Sequence, residues 1–155
     1  MNNSFNEFAR NLQQQIYSEV KETYGIKALE RWKNPKYMGV MEKPDGYARV
    51  TGVCGDTMEV YLRFRDDRVE EALYRTDGCG SSRACGSIAA EMSIGKTPDE
   101  MLDISGEAIL ERLGPFPEEE RHCAFLAAET LQEALHEYML KQTSRKRPTL
   151  HSPKG

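Results

Sequence analysis

Three cysteines, one aspartate and one histidine carry the chemistry this chain offers. Cys54 stands in VCGD with Asp56 just beyond it, Cys79 stands in DGCGSS, and Cys123 follows His122 in RHCA. Thiolate, carboxylate and imidazole are metal ligands, and a thiol is also a nucleophile. Glycine follows Cys54 and stands on both sides of Cys79, which lets backbone come close to whatever the sulfurs hold. His122 and Cys123 are adjacent, so on a regular helix they would project about 100° apart and one could bind while the other is free. The pattern leaves two chemistries open, a metal site and a reactive-thiol site.

The elements that must position these residues are legible in the apolar periodicity. Phe5, Phe8, Leu12, Ile16, Val20 and Tyr24 predict an amphipathic first helix, with Ser4 as its N-cap and Gly25 as its stop. A short helical piece over 26–32 leads into a turn around Asn34-Pro35. YARVTGV reads as a first strand, and Met58, Val60, Leu62 and Phe64 alternate with Glu59, Tyr61, Arg63 and Arg65 as a half-buried second. After a turn at Asp66-Asp67, RVEEALYRT returns as a third strand of an antiparallel meander. A helix beginning near Ser82 follows, then a capping box at Thr97-Pro98-Asp99-Glu100 and a short helix near SGEAILERL. The last helix starts near His122 and is expected to bury Leu131, Leu135 and Met139 on one stripe. Cys54, Cys79 and Cys123 thus fall at element ends, where a helix start would lower a thiol pKa. Cys85 falls inside a helix and reads as core, His136 and His151 as solvent-facing, and glutamates 118–120 as a solvated loop. The architecture expected is α+β, a three-stranded antiparallel sheet packed against helices. It forms one domain over 1–141, followed by a disordered basic tail over 142–155.

Composition narrows the classes. With 155 residues and a net charge of −4, the chain does not suit a general nucleic-acid binder. It has no apolar run of membrane-spanning length, and no basic n-region or apolar stretch marks a secretory signal near its start. A cytoplasmic location without membrane attachment is expected, and in a reducing compartment the four dispersed cysteines are not a disulfide framework. No H-E-x-x-H or comparable signature supplies the general base of a zinc hydrolase.

NPKYMG, VCGDTMEVYLRF, TDGCGSS and RHCAFLAAE, in this order, resemble the iron–sulfur cluster assembly scaffolds of the IscU and NifU N-terminal type, over roughly residues 26 to 140. The resemblance implies Cys54, Cys79 and Cys123 as sulfur ligands, Asp56 as an oxygen ligand and His122 as an alternative ligand. It implies a carrier rather than an enzyme. Such a carrier receives sulfur from a cysteine desulfurase, with Cys123 as the persulfide acceptor, assembles a [2Fe-2S] cluster with iron, and passes it to apo iron–sulfur proteins. The chain would act as a monomer or homodimer. The same residues suit a second implied role, a SufU-like sulfur acceptor organised by zinc, which His122 weighs against. The stretch PFPEEER replaces the Leu-Pro-Pro-Val-Lys motif that a dedicated Hsp70-type chaperone recognises in IscU-type members, which argues against that release route.

Overall fold

The computed structural model describes residues 2–24, 30, 33, 34 and 36–146. Helix α1 (Asn2–Tyr24) precedes strands β1 (Gly46–Thr51), β2 (Thr57–Arg65) and β3 (Arg68–Thr76). Helices α2 (Gly80–Ser93), α3 (Pro98–Met101), α4 (Gly106–Leu113) and α5 (His122–Lys146) follow, with a 3-10 turn over Glu118–Glu120. The sheet has the order β1-β2-β3 with both pairs antiparallel. Asp66 and Asp67 take φ of 53° and 62°, the left-handed pair that closes a tight hairpin with the right twist.

Helices cover one face of this sheet. α5 crosses β1 and β2, α2 lies against β3 and α5, and α4 closes over both helices. Met58, Val60 and Leu62 point from β2 into the core with Val69, Ala72 and Tyr74 of β3, and meet Ile88, Leu131 and Leu135 from the helices. Two glycines set the layer spacing. A Cβ on Gly46 would stand 2.4 Å from the Ala134 carbonyl oxygen, and one on Gly86 would stand 2.5 Å from the Tyr74 ring. The expected capping box is present: Glu100 N donates to Thr97 Oγ1 at 3.3 Å and Thr97 N to Glu100 Oε1 at 2.9 Å. No helix among the described residues is long and apolar enough to cross a membrane.

Several expectations need correction. α1 begins at Asn2, ahead of Ser4, and Phe5, Phe8, Leu12 and Ile16 are exposed rather than covered. Gly25, most of the 26–32 piece and His151 lie outside the described residues. Tyr61, expected on the open face of β2, is buried, because its ring packs on Tyr47 at 5.0 Å and its hydroxyl donates to Glu59 at 2.6 Å. Helix α2 starts at Gly80, two residues before Ser82. On α5, Met139 is 40% exposed and Tyr138 takes its place in the stripe. Tyr138 stacks on Phe64 with ring centroids 3.6 Å apart and donates its hydroxyl to Asp67 Oδ1 at 2.9 Å, which satisfies the polar end of a buried aromatic. α5 continues to Lys146, past the tail boundary expected at 142, and residues 147–155 lie outside the described part.

Candidate metal centre

Two loops and one helix start converge at one end of the sheet. The first loop, 52–56, joins β1 to β2. It is closed by Gly52 N donating to the Asp56 carbonyl at 2.8 Å and Gly55 N to the Gly52 carbonyl at 3.0 Å. Gly55 takes φ of +94°, a conformation that a side chain would strain. The Thr51 and Thr57 hydroxyls pair at 2.8 Å across the loop base. Cys54 is left exposed at the tip and Asp56 half-buried at the inner edge.

The second loop, between β3 and α2, is stitched to the first. Thr57 N donates to Asp77 Oδ1 at 2.8 Å, Thr76 Oγ1 to the Thr57 carbonyl at 2.8 Å, and Gly78 N to Thr76 Oγ1 at 3.0 Å. Cys79 then occupies the N-cap of α2 with an exposed thiol. Gly78 has a steric reason: a Cβ there would stand 2.5 Å from Ser82 Oγ and 2.8 Å from Asp56 Oδ2.

The third contribution is the start of α5. Cys123 is 1% exposed, and the hydroxyl of the fully buried Ser82 reaches its sulfur at 3.5 Å. The same hydroxyl donates to Asp56 Oδ2 at 3.0 Å, so one buried oxygen links the carboxylate of the first loop to the thiol of the last helix. Burial pushes the Cys123 thiol up to about 11; the Ser82 hydrogen bond opposes this, and the charges of Cys79, Glu120 and Cys54 add to it. The expectation was a thiolate favoured by a helix start; here burial is the largest influence on this thiol, and it favours the neutral form. Cys85, core as expected, is raised well above the ordinary thiol value by burial and then by Cys123, Cys79 and Glu120.

Glu120 also departs from expectation. Glu118 and Glu119 are exposed, but Glu120 turns inward and accepts the Ser81 hydroxyl at 3.0 Å, with its Oε1 3.9 Å from Cys79 Sγ. Spacing in the chain gives no sign of this. The available signal was PFP ahead of the glutamates, which forces a turn, here capped by Pro117. Ser82 was legible only as one of two serines after Cys79.

The structure therefore brings Asp56, Cys79 and Cys123 to one place, and Cys54 is near enough for its charge to act on Cys123. His122 is half-buried at the first position of α5, and none of the hydrogen bonds among the described residues joins it to the other candidates. His136 is exposed. Among the described residues no group of three His, Cys, Asp or Glu side chains forms a ready metal cage. The donors stand instead as tethered pairs, Asp56 with Cys123 through Ser82, and Glu120 with Cys79 beside Ser81. Three thiols, carboxylate oxygens and an imidazole are a donor set that suits iron or zinc.

Comparison with known proteins agrees with this geometry. Residues 23–145 match the family model described as the NifU-like N terminal domain. The chain is 39% identical over 119 residues to the iron–sulfur cluster assembly scaffold protein IscU 1 of Archaeoglobus fulgidus, covering 76% of this chain and 78% of that protein. It is 34% identical over 122 residues to the scaffold protein IscU of Aquifex aeolicus, covering 77% and 78%. The crystal structure of the N-terminal part of a nitrogen-fixing NifU-like protein from Brucella abortus superposes with a TM-score of 0.63 at 26% identity, covering 79% of this chain and 98% of that one. Sequence, fold and the convergence of cysteines at one end of the sheet all lead to one assignment: the chain belongs to the NifU-like N-terminal domain family.

Proposed function

We propose that this chain is a scaffold on which a [2Fe-2S] cluster is assembled from iron and desulfurase-derived sulfur and from which it is passed to apo-proteins. In this reading Cys54, Cys79 and Cys123 supply sulfur, Asp56 supplies oxygen, and His122 exchanges with Cys123 for a coordination position. Supporting it is one observation above the others: the donors come from three separate elements held by side-chain tethers, with a buried hydroxyl shared between Asp56 and Cys123. Relatives named as scaffolds share most of the chain.

Sulfur enters as a persulfide. A thiolate of this chain attacks the outer sulfur of the desulfurase's Cys–S–SH, the S–S bond breaks, and the desulfurase leaves as its thiolate. Reduction of the bound sulfur to sulfide takes two electrons from an external reductant. A persulfide carried by another protein must reach its target, and Cys54 and Cys79 are exposed whereas Cys123 is buried. This reading therefore moves first transfer from Cys123, the acceptor the resemblance implies, to the exposed pair, with Cys123 serving as a ligand.

Anaerobic purification, metal and acid-labile sulfide analysis, and reconstitution with ferrous iron, cysteine and a desulfurase test the reading. Iron and sulfide in equal amounts, with a visible charge-transfer band, are expected. Tightly held zinc that iron does not displace, a colourless protein and persulfide on one cysteine would instead make it a zinc-bound sulfur acceptor.

A further inference from the structure

The first turn of α2 carries two consecutive serines, Ser81 and Ser82, both almost fully buried. Their hydroxyls reach two different carboxylates at the same 3.0 Å, Ser82 to Asp56 and Ser81 to Glu120. Asp56 comes from the β1–β2 loop and Glu120 from the 3-10 turn before α5, so the two acids reach the first turn of α2 from segments far apart in the chain. Each stands beside a cysteine: Asp56 is linked through Ser82 to Cys123, and Glu120 Oε1 lies 3.9 Å from Cys79 Sγ.

That 3.9 Å separation is long for a hydrogen bond from a thiol, which is a weak donor. It is close to the spacing of two ligands on one ion: metal–sulfur and metal–oxygen bonds of about 2.3 and 2.1 Å at a tetrahedral angle put sulfur and oxygen about 3.6 Å apart. Only a few tenths of an ångström separate the pair from that arrangement. Glu120 is alone among its neighbouring acids in facing inward, and its charge acts on both Cys123 and Cys85.

We propose that Glu120 is a second carboxylate ligand of the metal centre, binding ferrous iron together with Cys79 before sulfur arrives. The inference rests on the scaffold reading. Oxygen donors suit an ion that has not yet gained sulfide, and they are readily displaced when sulfide competes for the same positions. As the iron–sulfur bond to Cys79 forms, the thiol proton leaves to solvent. Ser81 is the positioning residue for Glu120, as Ser82 is for Asp56.

Anaerobic titration with Fe(II), and with Co(II) as a coloured probe, tests this on the whole chain. Glu120→Gln keeps an oxygen able to accept from Ser81 but removes the carboxylate. It should weaken Fe(II) binding about tenfold or more and move the Co(II) d–d bands. Glu119→Gln, which removes the same charge one residue away on an exposed side chain, should change neither. Ser81→Ala should weaken Fe(II) binding less than Glu120→Gln does, and it provides a second test should the glutamine variant fold poorly. Wild-type affinity and spectrum in Glu120→Gln would overturn the assignment. So would an equal loss in Glu119→Gln, or weaker binding with an unmoved Co(II) spectrum, since a charge acting at a distance would then suffice. Failure of the unaltered chain to bind either ion would overturn the scaffold reading itself.

Discussion

Ser82 Oγ, itself fully buried, lies 3.0 Å from Oδ2 of the half-buried Asp56, and the same oxygen stands 3.5 Å from the sulfur of Cys123. A hydroxyl has one hydrogen. Asp56 Oδ2 and Cys123 Sγ both stand as acceptors for that one hydrogen. Once Cys123 becomes a thiolate, two anions compete for the single hydroxyl hydrogen. In the proposed scaffold, loading a metal on Cys123 would therefore loosen the tether on Asp56, freeing its carboxylate to serve as a ligand.

Removing this hydroxyl tests the linkage. Ser82→Ala should cost about 1–2 kcal/mol of stability, read from a denaturant midpoint. Ser82 is also the one contact that lowers the Cys123 pKa, so its loss should drive that thiol still higher, measured by thiolate absorbance in the ultraviolet. An unchanged thiol titration would mean that Ser82 and Cys123 do not interact.

Gly78 should tolerate no larger residue. A Cβ there meets Ser82 Oγ at 2.5 Å and Asp56 Oδ2 at 2.8 Å, the two atoms that form the tether. Gly78→Ala is expected to destabilise by about 1–3 kcal/mol and to weaken metal binding together with stability. Gly95→Ala, where a Cβ would meet nothing within 4 Å but φ is +84°, should lose stability through backbone strain alone and leave metal affinity intact.

Thiol reactivity should separate the four cysteines. Exposed Cys54 and Cys79 should react with iodoacetamide at neutral pH, whereas buried Cys85 and Cys123 should resist. Since the Cys123 pKa is raised to about 11, its thiolate fraction should grow about tenfold per pH unit through the alkaline range below that value. The sign for stability follows. A raised folded-state pKa favours the folded chain below the ordinary thiol value, and the contribution is lost as pH climbs through about 11. Mass mapping of the alkylated peptides reads the order directly, and fast labelling of Cys123 at pH 7 would contradict it.

The fold was largely readable because each strand and helix announces itself locally. The alternation of β2, the Asp66-Asp67 turn and the Thr97 capping box depend on neighbours in the chain. Cys79, Cys123 and Asp56, which the structure brings together, could be picked out for a similar reason, since residue type and flanking glycines are local signals. What escaped depends on packing between distant segments. Glu120 turns inward because Ser81 waits across the site, and the PFP turn ahead of it does not say which glutamate will do so. Ser82 looks like an ordinary helix serine until Asp56 and Cys123 are brought to it. At Cys123 a helix start is visible in the chain, but the burial that raises its thiol is not. Tyr138 displaced Met139 because Phe64 and Asp67 offer both a ring to stack on and an acceptor for the hydroxyl.

Asp56 should set how long a cluster stays. Carboxylate oxygen is a harder, less iron–sulfur-like donor than thiolate, so replacing it should prolong retention. Asp56→Cys and Asp56→Ala scaffolds, loaded in the same way as the unaltered chain, should hold their visible absorbance longer against a chelator and hand it more slowly to an apo-ferredoxin. Faster loss from both variants would show that Asp56 retains the cluster rather than releasing it.

The most direct measurement is anaerobic reconstitution of four single variants, Cys54→Ala, Cys79→Ala, Cys85→Ala and Cys123→Ala, with iron and sulfide counted and the visible spectrum recorded for each. The first, second and fourth should lose the charge-transfer band, while Cys85→Ala, altered only in the core, should assemble a cluster as the unaltered chain does. A cluster that survives loss of Cys123 but fails without Cys85 would place the centre elsewhere and contradict the account.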